Sequence, residues 1–207
     1  MPSRRSDNTL VFKLVFWGPS MGGKTCALAW IYEKEGLASG KLQSITDPTG
    51  RTLFFDRVVA RVSNVVFQTY TVAGQRRHKY QRKTVLKGAD AIIFVWDSSS
   101  DQWEENLYSL KELLKFYGTK VMPGPDGQAE VPLVLMANKR DLPNPTPIDK
   151  IREVLNAAHL PNVLIYETIA ITGVNVKRAF VFAAREAVLR HYMRLQQGNV
   201  ELPQTEE

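Results

Sequence analysis

Cysteine is almost missing from this chain: of 207 residues only one, Cys26, carries a thiol. No disulfide can form within it, which suits a reducing compartment. Long apolar runs are missing too, so no stretch is suited to cross a bilayer as a helix. No apolar signal segment of secretory length follows the basic start MPSRRSDNTL. Pro2 stands where N-myristoylation needs glycine, and the end ELPQTEE has no cysteine to prenylate, so no lipid anchor is expected. His78, His159 and His191 lack metal-ligand spacing, which argues against a zinc site. Repeats and low-complexity linkers are absent as well. The expectation is a cytoplasmic monomer with one domain over 1–197 and a flexible tail over 198–207.

What is present is a globular balance, 44% hydrophobic and 23% charged, with a net charge of +6. Much of the excess is local, in RRHKYQRK at 76–83. That run reads first as a solvated helix face. The other readings are a surface for an acidic partner, an anionic membrane or nucleic acid. Only Tyr80 interleaves an aromatic ring with these cations, and no nucleic-acid module is recognisable, so specific nucleic-acid binding ranks low.

Strand and helix patterns alternate along the chain, which predicts an α/β sandwich on a mostly parallel sheet. LVFKLVFWG, ADAIIFVWD and VPLVLMAN read as buried strands, and NVLIYETIA as the last one. The segments either side of Ser63-Asn64 read as a hairpin. KTCALAWIYEKEG reads as a helix closed by Gly36. In DQWEENLYSLKELLKFYG, Trp103, Leu107, Leu110 and Leu114 recur at helical spacing. PIDKIREVLNAA begins with Pro147 at a position that suits a helix start. The final helix places Val176, Phe180, Ala183 and Ala187 on one face. KVMPGPDGQAE at 120–130 reads as a loop rich in proline and glycine, and the segment 118–130 is longer than a minimal connection.

Three motifs carry chemistry. GPSMGGKT at 18–25 follows a strand and opens a helix. Its glycines let the backbone curl so that amides, those of Ser20, Gly22 and Gly23 among them, point at phosphate oxygens. The helix N-terminus adds partial positive charge. Lys24 reaches for the β- and γ-phosphates, the Thr25 hydroxyl suits Mg²⁺, and the Cys26 amide lies near the α-phosphate, its side chain packed at the helix start. NKRD at 138–141 ends another apolar strand. Asn138 supports the base loop and Lys139 lays its stem over the purine. Asp141 offers two acceptors to the adjacent N–H donors of guanine, a pairing that adenine cannot satisfy. ETIAITG at 167–173 is weaker alone; its Ala170 amide suits the guanine carbonyl oxygen.

The order GxxxxGKT, xxxGQ, NKxD and ETxA resembles the Ras-like small GTPases over roughly residues 10–195. GRTLFFD (50–56), YTVAGQ (70–75) and NKRDLPN (138–144) resemble the bacterial gliding-motility and cell-polarity branch in particular. The resemblance implies a P-loop three-layer sandwich of about six strands with helices on both faces. It implies a switch that binds GTP or GDP with Mg²⁺ and hydrolyses GTP slowly. It also implies a roadblock-type activating protein and effector partners. By resemblance, Thr52 meets Mg²⁺ and the γ-phosphate, the Gly74 amide reads the γ-phosphate and Gln75 orients the attacking water. Arg51 matches the built-in arginine finger, a group worth about 10³–10⁵ in rate.

Thr71 stands where most Ras-like proteins hold a magnesium-bound water with aspartate; the branch it resembles also has threonine. A hydroxyl brings no charge, so weaker magnesium affinity is expected unless an acid compensates. Asp56 is the first candidate, through a water, and Asp47 the second. Asp56 lies about 13 Å beyond Thr52 on an extended strand, so both approach one ion only if the chain bends. A binding scaffold with negligible hydrolysis is the alternative that Thr71 motivates. Ile171 replaces the lysine frequent after the alanine of the last loop. Trp96 and Asp97, ending a core strand, read as structural.

Overall fold

The computed structural model describes residues 2–4, 9–33, 57–62, 64–74, 78–196 and 198. Strand β1 (Ser3–Arg4) and β2 (Leu10–Trp17) lead into α1 (Lys24–Glu33). After β3 (Arg57–Val62), β4 (Val65–Thr71) and α2 (Lys79–Leu86) come β5 (Ala91–Asp97) and α3 (Trp103–Val121), with one 3₁₀ turn at Ser100–Gln102. Then follow β6 (Leu133–Asn138), α4 (Ile148–Ala157), β7 (Leu164–Glu167) and α5 (Val176–Gln196). The order across the sheet is β3-β4-β2-β5-β6-β7, with β1 antiparallel on β2. β3 and β4 form the expected antiparallel hairpin, and the remaining pairs are parallel.

Strict alternation buries both faces of the central strands. Phe12, Leu14 and Phe16 of β2, with Ala91, Ile93 and Val95 of β5, meet α1 and α5. Val15 and Trp17, with Ile92, Phe94 and Trp96, meet the layer that holds α2, α3 and α4. A strand covered on both sides has no solvent face, which is why these segments read as continuous apolar runs. The result is the three-layer sandwich expected from sequence. The four residues Val176, Phe180, Ala183 and Ala187 of α5 are all buried, as their spacing predicts.

Some boundaries differ. α3 runs through Gly118 to Val121, so its last turn takes residues that read as loop. β7 holds four residues, because Asn162 and Val163 precede its first pairing and Thr168 leaves it to serve the next loop. Gly36 lies outside the described residues.

The topology matters for function. β2 lies between β4 and β5: the chain after it builds β3 and β4 on one side and then crosses to β5 on the other. In open α/β sheets such a switch point opens a crevice at the carboxyl ends of the strands, where ligands bind. Trp17, Thr71, Asp97, Asn138 and Glu167 are those carboxyl ends; GPSMGGKT, TVAGQ, NKRD and ETIAITG each start at or beside one of them.

Candidate functional site

The phosphate loop begins where β2 ends. Gly23 has φ +100°, a backbone region costly for any residue with a Cβ, and a Cβ there would overlap Asn138 Nδ2. The loop therefore curls and sits against the base motif at once. Lys24 is only 6% exposed. Its ammonium lies within the loop, donating to the carbonyls of Gly18 at 3.1 Å and Pro19 at 2.5 Å. The Ala27 amide donates to the Gly23 carbonyl at 2.9 Å, which starts α1 directly behind the loop. Thr25 is half-buried in the first turn of that helix. Cys26 beside it is exposed; the expected packing of its side chain is not what the helix phase produces.

Asn138 is the hub. Its Nδ2 donates to the Gly22 carbonyl at 2.8 Å. Its Oδ1 accepts from the Ala170 amide at 2.9 Å and from the Thr168 hydroxyl at 3.2 Å. One buried amide side chain thus ties the phosphate loop, the NKRD turn and the ETIA loop together. The Ala170 amide is engaged by Asn138 in this structure, so its hydrogen bond organises the loop around the base position. Lys139 follows in the left-handed region at φ +63°. Arg140 braces the turn, donating to the Thr146 carbonyl at 2.6 Å and to Glu167 Oε2 at 2.9 Å. Asp141 is exposed at the mouth of the site.

The switch segment also reaches the loop. Thr71 is fully buried at the end of β4, paired in register with Phe16. The Val72 amide donates to the Phe16 carbonyl at 3.3 Å. Gly74 comes so close to the phosphate loop that a Cβ would overlap the Ser20 backbone. Ser20, Gly22, Gly23, Lys24, Thr25, Gly74, Asn138, Lys139, Asp141 and Ala170 therefore share one edge of the sheet. Arg51, Thr52, Asp47, Asp56 and Gln75 lie outside the described residues.

Two side chains play parts that the sequence pattern does not reveal. The basic run is not one solvated face: Arg82 is 3% exposed, while Lys79, Tyr80 and Lys83 are exposed. Arg82 Nη2 lies 2.6 Å from Glu112 Oε1 of α3, Nη1 donates to the Ala73 carbonyl at 3.2 Å, and the guanidinium stands over Trp17. The partner that makes this burial tolerable is thirty residues away, and no local spacing announces it. Asp97, read as structural from sequence, pairs with Lys139 of the base motif at 2.6 Å.

The donor chemistry fits a nucleotide: curled amides, a buried ammonium and a hydroxyl on one side, two acceptor oxygens of Asp141 on the other. For Mg²⁺ the described residues offer the Thr25 hydroxyl, which suits a hard cation already bound to phosphate. Among the described residues no cluster of three or more acidic, histidine or cysteine side chains stands ready to hold a metal alone.

Residues 13–189 match the Ras family. The Mutual gliding-motility protein MglA of Myxococcus xanthus (strain DK1622) is 37% identical over 179 residues, 83% of this chain and 87% of that protein. Ras-related protein Rab-7a of Dictyostelium discoideum is 27% identical over 179 residues, 86% of this chain and 83% of its own. Among solved structures, the Arl6 BBS3 small GTPase of Trypanosoma brucei with bound GppNp superposes with a TM-score of 0.67. That match has 21% identity and covers 87% of this chain and 99% of the other, a likeness of fold.

Proposed function

We propose that this chain, which belongs to the Ras family of small GTPases, is a guanine-nucleotide switch of bacterial motility or cell-polarity control. Its 37% identity to a gliding-motility protein supports the biological setting. The observation that carries the nucleotide reading is the triple engagement of Asn138, with the phosphate loop on one side and the ETIA loop on the other. A binder of phosphate alone has no need to bolt its loop to NKRD.

In this reading the loop amides and Lys24 hold the phosphates, the Gly74 amide reads the γ-phosphate, and Asp141 selects guanine. Thr25 and Thr52 would hold Mg²⁺, which when bound neutralises charge on the β- and γ-phosphate oxygens. Gln75 orients the attacking water. Arg51 neutralises charge developing on the transferred group. The γ-phosphoryl group passes to water, leaving GDP and phosphate. A roadblock-type partner accelerates the step, and effectors read the conformation of the switches.

Fluorescent GDP, titrated with and without magnesium and competed by GTP and by ATP, tests the binding half. Displacement by GTP but not by ATP is expected; equal displacement would remove the guanine reading. Single-turnover hydrolysis with a roadblock-type partner, in wild type and in Arg51→Ala and Gln75→Ala, tests the chemistry. Thr71, uncharged and fully buried at the carboxyl end of β4, favours a second reading, a scaffold that loads GTP and barely hydrolyses it. No turnover with the partner present would select that reading.

A further inference from the structure

Asp97 is a carboxylate that the nucleotide motifs do not call for. It is 1% exposed at the end of β5. An ionised carboxylate in such a place is retained only with partners on both oxygens. Oδ1 accepts from the Ser99 amide at 3.0 Å and the Ser99 hydroxyl at 2.6 Å. Oδ2 lies 2.6 Å from Lys139 Nζ.

The backbone around this pair is held as firmly. Asn106 of α3 accepts from the Asp97 amide at 2.8 Å and donates to the Asp97 carbonyl at 2.7 Å. A third bond, from Asn106 Nδ2 to the Gln102 carbonyl at 2.8 Å, fixes its own rotamer. Asp97 pairs in register with Asn138, the residue before Lys139, and the Ser98 amide donates to the Asn138 carbonyl at 3.0 Å. The carboxylate and the base of the lysine stem are thus set by one sheet edge.

We propose that Asp97 is a positioning residue for the base site: it anchors the Lys139 ammonium so that the lysine stem forms a preset floor for the purine. This rests on reading 138–141 as the base motif. Two physical consequences follow. A lysine held at its far end has already given up the rotamer freedom that a free one surrenders when a base packs on it. The ammonium is also ion-paired with Asp97 and so does not compete with guanine for the carboxylate of Asp141, two residues along. Asp97 contacts the lysine and not the base, so it strengthens binding without reading the base edge.

The test uses the full chain and two diphosphates, GDP and IDP, the latter lacking the exocyclic amine. Asp97→Asn should weaken both by about tenfold, the size of one coupled contact. Lys139→Ala should weaken both similarly, and Asp97→Asn added to Lys139→Ala should do nothing more. If Lys139→Ala leaves both affinities unchanged, the base-motif reading of Lys139 fails. If Lys139→Ala weakens binding but Asp97→Asn has no effect, or adds in full to it, the positioning role is overturned. Should Asp97→Asn fail to fold, amine-reactive labelling of the nucleotide-free wild type decides. Slower labelling of Lys139 than of exposed Lys150 supports the anchor, and equal rates overturn it.

Discussion

Asn138 Nδ2 donates to the Gly22 carbonyl at 2.8 Å across 116 residues of sequence, joining the end of β6 to the phosphate loop. Phosphate and base recognition are therefore mechanically one unit. A disturbance of either loop passes to the other through a buried amide that has no water to fall back on.

Asn138→Ala should be costly on both counts. It strands the Gly22 carbonyl and the Ala170 amide, and buried groups left unsatisfied cost about 1–3 kcal/mol each. Urea denaturation should show a loss of several kcal/mol, and GDP affinity should collapse. Unchanged stability would mean that the loops hold each other by other contacts.

Gly23→Ala should retain the fold and lose the nucleotide. The new Cβ meets Asn138 Nδ2, at a φ of +100° that already disfavours alanine. Gly88→Ala is the control: its φ is +75°, but nothing lies within 4 Å, so only the backbone cost of about 1 kcal/mol applies. The nucleotide content of the purified variants, read by absorbance and chromatography, separates the two.

Breaking the Arg82–Glu112 pair from one side should cost more than removing it. A single loss such as Glu112→Leu leaves a buried uncompensated charge, typically about 3–5 kcal/mol. Arg82→Met with Glu112→Leu should recover most of that stability. Because Arg82 also holds the Ala73 carbonyl beside Gly74, the double variant should hydrolyse GTP more slowly while keeping GDP affinity. A double-mutant cycle in melts and in single-turnover rates checks both.

Asp141→Asn should exchange guanine for xanthine. The amide replaces one acceptor with a donor, which suits the carbonyl that xanthine carries where guanine has its amine. GDP affinity should fall by about a hundredfold or more and XDP should gain. Competition titration measures the two directly.

His191 gives a pH signature remote from the nucleotide. It packs edge-on against Phe12. Burial, and then the nearby Arg194, hold its pKa below the ordinary 6.5, with Asp90 opposing. The unfolded imidazole therefore takes up its proton first as pH falls through 6.5. This contribution vanishes above that range and becomes destabilising below it. Thermal melts between about pH 8 and pH 5.5 should fall less steeply in His191→Gln than in wild type.

Residue patterns in one dimension determined much of this protein. Alternating and continuous apolar runs specified a sheet buried on both faces, since β2 and β5 must satisfy two layers at once. GPSMGGKT and NKRD were legible because their chemistry is local: backbone curl, a helix start, and a few side chains at set spacing. The hairpin either side of Asn64 and the inner face of α5 were legible for the same reason.

Tertiary structure alone decided what depends on partners far along the chain. A cation inside a basic run looks solvated until Glu112 of α3 is placed against it. Asp97 looks like the end of a core strand until register sets it beside Asn138 and its lysine neighbour. The Ala170 amide looks free for a base until Asn138 takes it. Burial of a charged or polar group is set by the partner that compensates it, and that partner comes from the fold.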